Sequence, residues 1–220
     1  MQHESDLVNW DLLRNTEVKQ VPFPYMIARG FVRRSAMEPL ARDFPTLTYP
    51  GGSFPLKSLR YGPAFSELVG ALSSKTMADI VGRKLGMDLS VYPTMVTVRG
   101  WSRARDGQIH TDSTNKLVTA LLYMNEAWES SGGRLRLLRS PDNLSDYAAE
   151  VPPDYGTLIT FKNGPTAWHG FERFEGPRRV IQVNWVTGRG VARWEDARHR
   201  LSALLKRLRA RPEEFADAPN

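Results

Sequence analysis

Hydrophobic positions along the chain change period near residue 92. Up to that point the apolar residues recur at helical spacing; beyond it they alternate. Val21 to Val32 (VPFPYMIARGFV) reads as an opening strand that Pro22 and Pro24 confine to a sheet edge. Ser35 is a plausible N-cap for a helix running through Phe44, and Tyr49 to Pro55, with Gly51-Gly52, reads as a loop. Ala64 to Gly86 carries two helical patterns hinged at Ser73-Ser74. Leu68, Leu72, Ile80, Val81 and Leu85 form its packing stripe.

From Tyr92 the β-branched, alternating pattern predicts strands over 94–101, 116–125, 133–138, 156–162 and 179–186, each bounded by Gly, Pro, Asp or Asn. Thr166-Ala167-Trp168-His169 re-enters as a short strand after the turn Lys162-Asn163-Gly164-Pro165. Antiparallel strands without crossover helices imply a mainly β fold with flanking helices (α+β). Its core is a double-stranded β-helix, or jelly roll, able to hold a site in its mouth. The chain reads as a single domain over 1–220: N-terminal helical support over 1–91, β core over 92–188, and a basic C-terminal helix and tail over 189–220. In that last part Leu201, Leu204, Leu205 and Leu208 supply the packing stripe.

Composition narrows the classes. The chain contains no Cys, which removes disulfides, zinc–thiolate sites and cysteine nucleophiles together. No apolar run is long enough to span a bilayer, so no membrane insertion is expected. The segment Met1 to Trp10 lacks the apolar stretch of a secretory signal, and a cytoplasmic location is expected. The formal charge of +6 concentrates between Arg189 and Arg211, where eight basic residues meet only Glu195 and Asp196. A solvated helix face explains this better than nucleic-acid binding, because Trp194 is the only aromatic residue there.

The candidate chemistry lies in His110-Thr111-Asp112 and, much later, His169. Residues i and i+2 of a strand share a face, so His110 and Asp112 can reach one ion, while His169 must arrive from another strand. Two imidazoles and one carboxylate on one side of an ion leave half an octahedron open. This is the facial arrangement of non-haem Fe(II) oxygenases. His3 and His199 lie outside the pattern.

Several motifs then carry a family resemblance. They are H-T-D (110–112), L-Y-M-N (122–125), G-G-R-L-R-L (132–137), Trp168-His169 and R-V-I-Q-V-N-W (179–185). In order and spacing, over about residues 92 to 187, the chain resembles the prolyl-4-hydroxylase-like group of Fe(II)/2-oxoglutarate dioxygenases. P-F-P-Y-M-I (22–27) resembles that group's N-terminal support region less specifically.

The resemblance implies that His110, Asp112 and His169 are the iron ligands. It implies that Arg179 anchors the distal carboxylate of 2-oxoglutarate, with Arg178 as the competing anchor, and that Tyr123 hydrogen-bonds the same carboxylate. Tyr123 shares its strand face with Thr119 and Leu121, so the three could line one pocket. Gly132-Gly133 is expected only to make a turn.

The implied activity is hydroxylation of an unactivated C–H bond with release of succinate and CO2, using Fe(II), 2-oxoglutarate and O2. Retention of Asp112 favours hydroxylation over halogenation. Trp101, Arg103 and Trp168, with Arg105 and Phe171, flank the expected mouth as candidate substrate contacts. The substrate class stays open between a small molecule and a peptide, and the oligomeric state is open. Two alternatives remain: a non-catalytic jelly-roll metal-binding protein, and an oxygenase acting on nucleic acid.

Overall fold

A computed structural model of the chain describes residues 4–47, 52–188 and 190. The expected basic C-terminal helix therefore lies outside the described residues. The first half is helical, as its periodicity predicts. Helix α1 (Trp10–Asn15) starts at Asn9, whose side chain accepts a hydrogen bond from Leu12 N–H, and it buries Trp10 and Leu13. Strand β1 (Tyr25–Ala28) is the short edge strand that the prolines require. Helix α2 (Met37–Asp43) follows a 3-10 turn over Arg34–Ala36. Ser35 lies inside that turn, and neither turn nor helix carries a side-chain cap.

After β2 (Phe54–Pro55), which shortens the expected loop, come α3 (Pro63–Leu72) and α4 (Lys75–Leu85). The break falls at Ser73-Ser74, where the Ser74 hydroxyl accepts from Met77 N–H and caps α4. All five residues of the expected helical stripe are buried.

The second half supplies β3 (Thr94–Ser102), β4 (Lys116–Tyr123), β5 (Leu135–Leu138), β6 (Tyr147–Val151), β7 (Leu158–Lys162), β8 (His169–Gly170) and β9 (Gly176–Val186). Strand β6 was not anticipated. Its sequence YAAEV is weak in β-branched residues, and pairing with β5 decides it. All named pairs are antiparallel, in a six-stranded sheet ordered β1-β7-β4-β9-β3-β2 and a three-stranded sheet ordered β6-β5-β8. This is the jelly-roll arrangement with helices on one side. No helix among the described residues is long and apolar enough to cross a membrane.

The two faces of the large sheet have different partners. One face packs against the helices: Val118, Ala120, Leu122, Ile181, Val183 and Trp185 join Phe65, Leu68, Leu72, Ile80 and Val81 in one core. The other face looks toward the small sheet: Tyr123, Ile159, Phe161 and Val180 meet Leu135, Leu137 and Val151. Strand register then fixes which polar residues enter the space between the sheets. Thr119 opposes Asn184, and Leu121 opposes Gln182, so all four turn inward.

Candidate active site

His110 and His169 are held opposite each other by a single antiparallel bridge. The N–H of each donates to the carbonyl of the other at 3.0 Å, and the ring centroids are 4.3 Å apart. The i, i+2 spacing works without a long ladder. His110 is extended only within this bridge, and Asp112 lies in the coil before β4. Each His has one ligand nitrogen and Asp112 one carboxylate oxygen within 4.8 Å of one another.

The hydrogen bonds around these groups prepare them for a cation. Nδ1 of His110 is 2.8 Å from Gln108 O, and Nδ1 of His169 is 2.9 Å from Ala167 O. A carbonyl only accepts, so both Nδ1 atoms carry hydrogen and Nε2 is the nitrogen left to face an ion. Burial first, then the neighbouring His110, lowers the pKa of His169 to about 4, so its ring is neutral. Burial pushes the Asp112 carboxyl up. Lys116, His169 and the hydrogen bonds from Lys116 and Thr119 outweigh it and hold the group below its ordinary value. Lys116 Nζ is 2.8 Å from Asp112 Oδ1, and Thr119 donates its hydroxyl hydrogen to Asp112 Oδ2 at 2.5 Å. That hydroxyl in turn accepts from Asn163 Nδ2 and Asn184 Nδ2, at 2.9 and 2.7 Å.

The cluster opens into a cavity of about 250 Å³ between the sheets. Its wall includes Met95, Thr97 and Arg99 of β3, Lys116, Thr119 and Leu121 of β4, and Arg178, Val180, Gln182 and Asn184 of β9. The expectation that Arg179 reaches this pocket is not met. Arg179 shares the helix-facing side of β9 with Ile181, Val183 and Trp185, and its guanidinium lies 5.3 Å from the Phe44 ring. Arg178, on the opposite face, enters the cavity and is only 4% exposed. Alternation puts Arg178 and Arg179 on opposite faces of β9, and the face that looks into the cavity is that of Arg178.

Arg178 sits over Phe171, 4.3 Å from the ring centroid, and donates from Nε to Gly133 O at 2.9 Å and from Nη2 to Tyr123 Oη at 3.4 Å. No carboxylate among the described residues lies within ion-pair distance of it. Burial holds its pKa down and raises that of Tyr123. Gly133, expected only to turn the chain, adopts φ +75° and aims its carbonyl at this guanidinium.

Of the candidate substrate contacts, Phe171 lines the cavity and Trp101, Arg103, Arg105 and Trp168 do not. Trp101 pairs across to Pro177 at the end of β3, Arg103 is bound to Asp106, Arg105 is exposed, and the Trp168 carbonyl accepts from Leu138 N–H. Sequence reasoning missed Arg99, Lys116, Gln182 and Asn184. Alternation from Arg178 along β9 reaches Gln182 and Asn184, whereas Lys116 is out of phase with Tyr123 because β4 is irregular between Lys116 and Val118.

Two imidazoles and a carboxylate, with no thiolate, suit a borderline divalent ion such as Fe(II). Comparison with known proteins agrees. Residues 100–187 match the family model described as the 2OG-Fe(II) oxygenase superfamily. No curated protein matches the chain. Among solved structures, a Pseudomonas putida prolyl-4-hydroxylase is similar, with 17% identity, 80% of this chain and 90% of that chain covered, and a TM-score of 0.53. A prolyl 4-hydroxylase from Phytophthora capsici gives 18% identity, covers 92% of this chain and 78% of that one, and has a TM-score of 0.55. At these identities the two likenesses speak for the fold.

Proposed function

We propose that this chain, whose residues 100–187 match the 2OG-Fe(II) oxygenase superfamily, is such an oxygenase, holding Fe(II) with His110, Asp112 and His169 and 2-oxoglutarate with Arg178 and Tyr123. The enzyme is a dioxygenase of the hydroxylating kind. The observation that carries the cosubstrate assignment is Arg178, a guanidinium 4% exposed, on the wall of the same cavity as the His/Asp/His cluster and with no carboxylate among the described residues at ion-pair distance. A buried, uncompensated charge is costly, and a dicarboxylate bound beside it removes the cost. The planar fork of Arg178 suits a carboxylate, and the Tyr123 hydroxyl beside it adds a second donor.

When bound, iron with 2-oxoglutarate and O2 supplies the oxidising chemistry, converting 2-oxoglutarate to succinate and CO2 and adding oxygen to an unactivated C–H bond. The protein's own residues orient and shield. The backbone bridge sets the two imidazoles side by side. The Thr119 hydroxyl, steered by Asn163 and Asn184, fixes one Asp112 oxygen. Phe171, Leu121, Leu135 and Val180 keep the cavity wall apolar between its charged groups. The substrate is a small molecule or a peptide side chain, and the cytoplasm is the proposed location, consistent with a chain free of Cys.

Anaerobic titration with Fe(II) and 2-oxoglutarate tests this reading. A visible metal-to-ligand charge-transfer band is expected in the wild type and not in Asp112→Ala. Folded, metal-loaded protein without the band would favour a non-catalytic jelly-roll metal-binding protein instead.

A further inference from the structure

One cationic side chain of the cavity has no part in holding iron or 2-oxoglutarate. Arg99 opposes Val180 in the β3–β9 register, so its side chain enters the same inner wall as Arg178 on the neighbouring strand. It is tied to the body of the protein by two contacts. Nη1 is 3.1 Å from Asp106 Oδ2, and Nη2 donates to Ser53 Oγ at 3.3 Å. A guanidinium has five N–H donors, so capacity is left over.

Its one carboxylate partner among the described residues is shared. Asp106 also accepts from the backbone N–H of Arg103 at 3.0 Å and lies 3.4 Å from Arg103 Nη2. Burial, and then the repulsion of Arg178 and Arg103 against the attraction of Asp106, pull the Arg99 pKa down. The protein thus keeps a part-buried Arg99 beside the buried Arg178, with one carboxylate shared between Arg99 and Arg103.

Charge balance says what is missing. The wall carries Arg99, Arg178 and Lys116 against Asp112, and behind Arg99 the single charge of Asp106 is shared with Arg103. A divalent ion at the His/Asp/His cluster adds two positive charges, and 2-oxoglutarate removes two. With Arg178 assigned to 2-oxoglutarate, the surplus stays at the Arg99 side of the cavity, where the guanidinium is part-buried. Because the cavity is about 250 Å³ and must also take 2-oxoglutarate, the remaining guest is compact.

We propose that Arg99 is a specificity-determining residue that binds the carboxylate of a compact, anionic substrate. This rests on the 2-oxoglutarate reading of Arg178. Asp106 then competes with the substrate for the guanidinium, and Ser53 steadies it.

The test uses the full chain, anaerobic and loaded with Fe(II) and 2-oxoglutarate. The probes are small amino, hydroxy and aromatic monocarboxylic acids, each beside its primary amide. Binding is read by calorimetry and by perturbation of the charge-transfer band. Acids are expected to bind and amides not. Arg99→Gln should weaken acid binding by roughly tenfold or more, Arg99→Lys should restore part of it, and Asp106→Asn should tighten it. Arg179→Gln, on the other face of β9, should change nothing.

A purely structural Arg99–Asp106 latch predicts that Arg99→Gln and Asp106→Asn shift binding in the same direction. That result overturns the proposal, as does equal binding of the amides or no binding by any acid in the panel. Absence of the band before any acid is added overturns the cosubstrate reading and this inference with it. Presence of the band with any of the preceding results overturns this inference alone.

Discussion

His110 and His169 are joined through their backbones, N–H to carbonyl in both directions at 3.0 Å, so the pairing of the two imidazoles does not depend on the rings themselves. Replacing either ring should therefore spare the fold and remove the ion. His110→Ala and His169→Ala are each expected to bind Fe(II) at least about a hundredfold more weakly, with an unchanged far-UV circular dichroism spectrum. Wild-type affinity in folded His169→Ala would remove that residue from the ligand set.

Adjacent arginines on β9 should behave oppositely. Arg178→Gln removes the buried fork and should raise the 2-oxoglutarate KM by roughly 10- to 100-fold. Arg179→Gln loses only a contact over Phe44, worth about 0.5–1 kcal/mol, and should leave that KM unchanged. Steady-state kinetics on the two variants, with succinate as readout, decides between them; the reverse pattern would restore Arg179 as the anchor.

Thr119 is the junction between Asp112 and two asparagine side chains. Thr119→Val keeps the shape but leaves Asp112 Oδ2 and both amides without that partner. Metal affinity should fall by roughly 10- to 100-fold, and Thr119→Ser should recover most of it. Equal affinity in the Val and Ser variants would show that the hydroxyl does not position the carboxylate.

Acid should destabilise the metal-free protein partly through His169. Its pKa is about 4 in the folded chain against an ordinary 6.5. Between those values the unfolded chain binds more protons, so stability is fully present above about 6.5 and falls as pH drops toward 4, by about 3 kcal/mol at most. Urea unfolding across this range measures the slope, and His169→Gln should flatten it. An unchanged slope in that variant would mean that the ring is not buried neutral.

Gly62 leaves no room for a side chain. A Cβ there would lie 2.4 Å from Asp43 Cγ, and Asp43 accepts from Ala64 N–H at 2.7 Å to begin α3. Gly62→Ala should lower stability by about 1–3 kcal/mol with catalysis retained once folded, seen as a lower Tm. An unaltered Tm would mean that the Asp43 side chain moves aside freely.

The change of hydrophobic period near Tyr92 determined the division into a helical support and an antiparallel β core. Ser73-Ser74 determined the break between α3 and α4, and His110, Asp112 and His169 were marked as the group proposed to hold the ion. The helical stripe and the break were legible because they rest on local geometry, and the His/Asp/His group because its residue types and order are distinctive, although Asp112 lies in coil and His169 arrives by a long-range bridge. The two-residue repeat of an extended chain separated Arg178 from Arg179. It could not say which of the two faces the cavity, because both faces of β9 are buried, one by helices and one by the small sheet. Only the packing of α2, α3 and α4 on one side of the large sheet decided that Arg179 meets Phe44 and Arg178 meets the site. The same holds for β6, made a strand by its partner, and for Arg99, whose place beside Arg178 depends on the register between two strands distant in sequence.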